Sequence, residues 1–167
     1  MAIHFNYSLP ESLKNIDYVE HNEEFIVHDN EEIRVLSNSC DIIEQYGEMK
    51  HQVVSLINEV YGKDFDLKNW IRRDLSDEVA FFLNESGSNV LNYSQFKAPS
   101  KFGLFFGKKG FIIGIEQKGK SFNAKHIHDN NIKENEGMAF KFYKQCSSKI
   151  FFDHPQDTNI VYLEFLF

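Results

Sequence analysis

Two histidines and an aspartate lie within four residues in the segment His126-Ile127-His128-Asp129. Imidazole and carboxylate ligands at short spacing suit Zn²⁺ or Mn²⁺. On a strand, His126 and His128 would share one face, and further ligands would have to come from Asp153 or His154. The segment lies within the polar run 123–137, which predicts a loop without a strand. We therefore expect surface histidines here in place of a metal site, and we expect no cofactor.

A second arrangement with possible chemistry is the triplet Glu116-Gln117-Lys118, which follows directly on the apolar run 111–115. In this position it resembles the second half of the signature of the PD-(D/E)xK nucleases. The resemblance implies Mg²⁺ held by two acids and a lysine that helps to position or activate the attacking water. It covers only this hairpin, and the nearest upstream acid is Glu85, whereas the family's first acid is expected at or just before the strand. Acid-x-Lys also occurs at Glu48 and Asp66, so the spacing alone is not specific.

Five lysines lie close together in the sequence around the same region: Lys108, Lys109, Lys118, Lys120 and Lys125. With Phe102, Phe106 or Phe122 nearby, they indicate, as an alternative, a sheet platform for single-stranded nucleic acid. Residues 81–167 contain no arginine, although phosphate and base recognition usually recruit its planar fork. We therefore favour solubilising lysines at exposed turns over a nucleic-acid site.

The sequence offers little support for nucleophilic catalysis or phosphate binding. Gly-x-Ser-x-Gly does not occur, and neither Cys40 nor Cys146 lies in a nucleophile signature. The run Gly107-Lys108-Lys109-Gly110 lacks the Walker spacing and leads into a strand. Two unpaired thiols, no secretion signal near the first residue and no run of about 18 apolar residues predict a cytoplasmic protein without a membrane span.

The acidic residues are concentrated in one part of the chain. Between Glu11 and Glu48 there are eleven carboxylates against Lys14 and Arg34, whereas residues 81–167 carry eleven lysines and eight acids. The net charges of these segments are −9 and +3, and that of the whole chain is −7. Such polarity suits a basic protein partner and disfavours nonspecific binding of nucleic acid by the whole surface.

The period of the apolar residues predicts the elements. Period two indicates strands at 3–7, 102–106, 111–116, 138–143, 149–152 and 160–167, and a hairpin at 24–28 and 32–36. Helical spacing indicates one long helix at 41–61 that Gly62 ends, and shorter helices at 66–75, 77–86 and 88–96. Ser76 and Gly87 separate the shorter helices, and residues 98–100 end the helical region.

These elements predict a single α+β domain over residues 1–167. An antiparallel sheet of about five strands, mostly from 101–167, carries helices packed on one face, with the last strand buried on both faces. The hydrophobic fraction of 42% excludes a disordered chain. Seventeen phenylalanines supply most of the core, and some are expected to line a recess for a partner.

The leading hypothesis from the sequence is a non-enzymatic acidic protein that neutralises a basic protein, such as a toxin or nuclease domain. In size and composition the chain resembles bacterial toxin immunity proteins, which implies inhibition by covering the toxin's active site. Carboxylates would mimic phosphates, and an exposed strand edge in the 102–111 hairpin or at 138–143 would add β-augmentation. The expected partner-binding residues are Glu20, Glu23, Glu24, Asp29, Glu31, Glu32, Phe102, Phe106 and Phe111.

Overall fold

The computed structural model describes residues 3–27, 40–134, 142 and 145–167. Its elements in chain order are β1 (Ile3–His4), α1 (Leu9–Asn15), β2 (Tyr18–Val27), α2 (Cys40–Tyr61), α3 (Lys68–Ile71), α4 (Glu78–Tyr93), β3 (Phe96–Gly107), β4 (Gly110–Lys118), α5 (Ala124–Glu134), β5 (Lys149–Phe151) and β6 (Ile160–Leu166). Within these residues the strands form one open sheet in the order β1-β5-β6-β4-β3-β2. The predicted α+β class is confirmed.

The sheet differs in detail from the predicted one. It has six strands among the described residues, and it is mixed because β1 pairs with β5 in parallel. The other pairs are antiparallel, including the predicted β3–β4 hairpin, in which Phe106 lies opposite Phe111. β6 is an inner strand as expected, and Tyr162, Leu163 and Glu164 at its centre are buried on both faces.

Helices cover both faces of the sheet, whereas the sequence predicted helices on one face. Because side chains alternate along β4, Phe111 and Ile113 point to one face and Ile112 points to the other. The first face belongs to the main core with α2 and α4. On the second face, Leu9 and Leu13 of α1 pack with Ile112 in a smaller cluster. α1 has only seven residues, so its apolar side chains give too little helical periodicity for this covering helix to be predicted from the sequence.

The long helix is confirmed with nearly the predicted bounds. Ile42, Tyr46, Val53 and Ile57 form its buried stripe, and the recurrence of apolar residues at helical spacing is the pattern from which it was predicted. Gly62 follows its last residue with φ of +62°, the left-handed conformation that glycine adopts without a steric cost.

A single helix, α4, replaces the two helices predicted at 77–86 and 88–96. Gly87 does not interrupt it; a Cβ there would lie 2.7 Å from Cε of Lys50, so the missing side chain lets α2 and α4 approach. The helix begins after Asp77, whose Oδ1 accepts from the backbone N–H of Ala80 at 2.9 Å. α3 is also shorter than the predicted 66–75.

β3 begins at Phe96, so residues 98–100 lie inside a strand and do not merely close the helical region. The pairing with β4 shifts register between Phe96 and Lys101, and Pro99 falls within this irregular stretch. A strand tolerates proline at a bulge because no ladder hydrogen bond is needed there.

Two further predictions fall partly or wholly outside the described residues. The second arm of the predicted hairpin, 32–36, lies outside them, and the first arm is the end of β2. The strand predicted at 138–143 is described only at Phe142, which is helical and buried.

The polar run 123–137, which was predicted as a loop, contains α5. A helix with so few apolar residues shows little hydrophobic periodicity, so its sequence does not predict a helix.

Glu164 joins α1 to the sheet through a buried polar cluster. It is 1% exposed, although it lies in the apolar strand β6. Its carboxylate accepts from the Tyr7 hydroxyl and from Oγ of Ser12, the latter at 2.7 Å, and one oxygen lies 3.5 Å from Nζ of Lys149. Burial and the neighbouring carboxylate raise the pKa of Tyr7. The hydroxyl therefore stays protonated and donates to Glu164 at neutral pH.

A second buried carboxylate, Glu78, holds the segment before β5 against the start of α4. It accepts from the backbone N–H groups of Ser147 at 2.6 Å and Ser148 at 3.2 Å, and from both hydroxyls. The neighbouring thiol of Cys146 is buried, and burial together with the charge of Glu78 raises its pKa to about 12.

We expect the Cys146 thiol to be inert in the folded protein. In a Cys40→Ser background, Ellman's reagent at pH 8 should modify the native protein at least about a thousandfold more slowly than the urea-unfolded chain. The reason is that both access and the thiolate fraction are reduced. Time-resolved absorbance provides the measurement. Equal rates in the two states would contradict the burial of this residue.

Candidate protein-binding surface

β2 is the strand on which the predicted acidic residues lie. Among the described residues its one strand partner is β3, so it forms an outer edge of the sheet in this part of the chain. Glu20, Glu23 and Glu24 all lie on β2, and we name these three carboxylates the acidic edge. An edge strand directs half of its backbone donors and acceptors away from its partner, where an added strand can bind them.

The side chains of the acidic edge point to both faces of the sheet. Glu23 lies on the same face as Val27, and its Oε1 is 3.4 Å from Nε2 of His21. Glu24 points to the opposite face, where Nζ of Lys101 lies 3.5 Å away. The side chains of Glu23 and Glu24 are 45% and 52% exposed, so these ion pairs leave both carboxylates accessible to a partner.

Exposed apolar side chains flank the carboxylates on the same strand. Tyr18, Val19 and Ile26 are 37%, 37% and 39% exposed. α2 packs against β2 and adds exposed carboxylates at Glu44 and Glu48. The surface thus combines backbone hydrogen-bonding groups, apolar contacts and negative charge, which are the components of β-augmentation by a basic segment.

The structure separates the predicted partner-binding residues into three groups. The acidic edge is accessible, and Asp29, Glu31 and Glu32 lie outside the described residues. The aromatic part of the prediction needs correction: Phe102, Phe106 and Phe111 are 0%, 4% and 0% exposed and belong to the main core. Their strands turn these rings toward α2 and α4, and as placed they line no recess for a partner.

The triplet Glu116-Gln117-Lys118 lies at the end of β4, as predicted. Oε2 of Glu116 is 3.4 Å from Nζ of Lys101, which also contacts Glu24 and therefore lies between the two carboxylates. These carboxylates raise the pKa of Lys101, which keeps its charge. In the part of the chain that the structure describes, no group of three histidine, cysteine, aspartate or glutamate residues could hold a metal ion.

The histidines do not occupy the arrangement that metal binding would require. His126 and His128 lie on α5, where a spacing of two residues directs side chains to different sides. His126 is exposed, and its Nε2 lies 3.0 Å from Nδ2 of Asn130. His128 is 7% exposed, and its ring packs against the ring of Phe5. The expectation that both histidines are at the surface is wrong for His128, because His128 lies on the side of α5 that packs against the rest of the protein.

The five lysines do not form one patch. Lys108 and Lys109 precede β4 and Lys118 ends it, and a strand of nine residues separates these ends by roughly 27 Å. Phe102 and Phe106 are buried, so they offer no ring face for stacking a base. The described geometry therefore contains no platform of the kind predicted for single-stranded nucleic acid.

Two features of this surface were not predicted from the sequence. The first is the length of β2, which begins at Tyr18 and not near Glu24. The second is Lys101, which links Glu24 of β2 to Glu116 of β4 across β3. The period-two pattern of 102–106 placed Lys101 just before a strand, but only the register of three strands brings the two acids to it.

Comparisons with protein-family models, with curated proteins and with solved structures found no match to this chain. No helix of the described residues is long and apolar enough to cross a membrane.

Proposed function

We propose that this protein binds a basic protein and neutralises it, in the manner of an immunity protein or antitoxin directed at a nuclease toxin. The observation that carries the proposal is the acidic edge. Three exposed carboxylates lie on a strand whose one described strand partner is β3. The segment from Glu11 to Glu48, which includes this strand, has a net charge of −9, and this charge adds long-range attraction for a cationic partner.

The mechanism in this proposal is stoichiometric occlusion. A cationic nuclease cleft binds phosphates, and the carboxylates of the acidic edge would occupy the same positive sites. An extended segment of the partner would pair with the backbone of β2, while Tyr18, Val19 and Ile26 exclude water from the contact. The positions of the carboxylates and apolar side chains along β2 would set the register of that pairing.

The first experiment is affinity capture from the native host with the tagged protein. The lysate is treated with nuclease, the resin is washed at low and then at high salt, and bound proteins are identified by mass spectrometry. We expect one basic protein near a 1:1 ratio that is toxic when it is expressed alone. Recovery of no protein, or of nucleic acid that disappears with nuclease, would overturn the proposal.

Charge reversal on β2 tests the electrostatic part with the captured partner. The triple variant Glu20→Lys, Glu23→Lys and Glu24→Lys is expected to reduce the association rate constant by about tenfold at low salt, because steering depends on local complementary charge. The variant should also flatten the dependence of that constant on salt. Stopped-flow association measured at several ionic strengths provides both values.

The matched control carries the same change in net charge at exposed acids outside β2, namely Glu59→Lys, Asp64→Lys and Asp129→Lys. We expect this control to lower the association rate constant much less than the β2 variant. If both triples have the same effect, overall charge governs association, and the acidic edge is not the binding site.

A further inference from the structure

A cleft of about 810 Å³ lies on the face of the sheet that α4 covers, at the end where β4 finishes and β6 begins. α4 and α5 form two of its walls. Much of its lining is apolar, and the described apolar residues include Ile3, Val90, Ile115, Ile127, Phe152 and Val161. This volume is within the range of pockets that hold small organic molecules.

Two polar groups of the cleft lack hydrogen-bond partners within the described residues. Ser86 is 3% exposed, and its Oγ neither donates nor accepts a hydrogen bond there. Oδ1 of Asn159 is buried and equally unpaired. A buried hydroxyl or amide oxygen without a hydrogen-bond partner is unfavourable, so a ligand that supplies a hydroxyl or N–H would stabilise it.

The charge of the cleft has one sign. Among its described lining residues Lys120 is the one lysine or arginine, and none is an aspartate or glutamate. Lys120 is exposed at the mouth, where Oε1 of Gln95 accepts from its backbone N–H at 2.6 Å. Gly119 has φ of +109°, and a Cβ there would lie 2.7 Å from the same Oε1. The glycine therefore permits the turn that holds Lys120 in this position.

The wall that carries Lys120 is fixed by pairing with the segment before β6. Phe122 and Thr158 exchange two backbone hydrogen bonds of 2.9 and 3.0 Å. The backbone N–H of Ala124 donates to the carbonyl of Pro155 at 2.8 Å at the start of α5. A cleft with walls fixed in this way loses little entropy when it binds a ligand.

From these observations we infer that the cleft is a binding site for a small organic acid with an apolar body and an interior hydroxyl group. The apolar body would lie on Val90, Ile115 and Val161, the acid group would lie at the mouth beside Lys120, and the hydroxyl would pair with Oγ of Ser86. None of the lining residues of this site lies on β2, so the inference does not depend on the proposed function.

The test is an NMR titration of the ¹⁵N-labelled protein with ω-hydroxy carboxylic acids from hexanoic to dodecanoic, and with the unsubstituted acids and α,ω-diols of equal length. We expect saturable amide shifts at Ser86, Val90, Ile115 and Lys120, with a Kd of about 1 mM or tighter for the best ω-hydroxy acid. The absence of saturable shifts at these residues for every length would overturn the inference.

Two variants and one control assign the roles. Lys120→Gln is expected to raise the Kd of the ω-hydroxy acid by about fivefold and to leave the Kd of the diol unchanged. Ser86→Ala should abolish a preference of about fivefold for the ω-hydroxy acid over the unsubstituted acid. Lys108→Gln removes an exposed lysine at the other end of β4 and should change neither value. Equal weakening by Lys108→Gln, or an unchanged hydroxyl preference in Ser86→Ala, would contradict the assigned contacts.

Discussion

Replacement of Glu164 by alanine is expected to lower the free energy of unfolding by about 2–4 kcal/mol, because several hydrogen-bond donors lose their common acceptor inside the protein. The hydroxyl of Ser12, which is 0% exposed, would lose its acceptor. Lys149, 33% exposed and with its ammonium over the Tyr7 ring, would lose its carboxylate partner. Tyr7 would lose an acceptor as well. Urea unfolding followed by circular dichroism gives the value.

Two further variants separate the polar cluster from a general effect of removing an acid. Glu164→Gln retains acceptor capacity at one oxygen and is expected to cost less than Glu164→Ala. Glu20→Ala removes an exposed carboxylate and should change stability by no more than about 0.5 kcal/mol. A loss in Glu164→Ala no larger than that in Glu20→Ala would show that the cluster does not anchor α1.

The second large effect is expected for Gly107→Ala, with a loss of about 3 kcal/mol or more. A Cβ at Gly107 would lie 2.1 Å from the carbonyl oxygen of Ile16 and 2.8 Å from its Cβ. Ile16 is fully buried, and its carbonyl accepts from the backbone N–H of Lys109 at 2.9 Å. The contact is therefore with buried backbone that cannot move without breaking the hairpin's attachment to the start of β2.

Gly103→Ala is the matched control for this prediction. Gly103 lies four residues earlier on the same strand, and a Cβ there would meet nothing within 4 Å. We expect Gly103→Ala to be neutral or slightly stabilising, because alanine restricts the unfolded chain more than glycine does. Thermal unfolding of the two variants side by side gives the comparison. Similar melting temperatures would contradict the close approach at Gly107.

The elements that were predictable from the sequence are those with strong local patterns. α2 has apolar residues at helical spacing and a glycine in the left-handed conformation after its last residue. The β3–β4 hairpin has two apolar runs on either side of Gly107-Lys108-Lys109-Gly110. Glycines between two apolar runs are typical of turn residues. In fact Gly110, like Gly107, makes a close approach, since a Cβ there would lie 2.0 Å from the carbonyl oxygen of Phe165.

The elements that were not predictable depend on contacts distant in sequence. Glu164 lies in a nearly apolar strand, and its partner Ser12 is 152 residues away. Gly87 looks like a helix breaker, because nothing near it in sequence shows that Lys50 packs there. A sequence pattern reports the neighbours of a residue along the chain, and neither of these contacts is among them.

The sequence predicted the charge of the candidate surface, but it did not predict the extent of the strand that forms it. The carboxylates of the acidic edge were identified from their density in the sequence, but the strand that bears them was predicted to begin only near Glu24. Residues 18–22 are exposed on β2, so they have no buried face and no alternation to read. Phe102, Phe106 and Phe111 lie in strands whose sequence alternates between apolar and other residues. This alternation does not show whether the face that bears them is covered by helices or exposed to solvent.

The acidic edge has a consequence for how copies of this protein meet one another. An open strand edge attracts any extended chain, including the same strand of a second molecule. Two β2 strands brought together side by side would place Glu20, Glu23 and Glu24 of one copy beside those of the other. Like charges at that distance repel each other, whereas lysine-rich strands are attracted. The three carboxylates therefore disfavour self-association of this protein through β2.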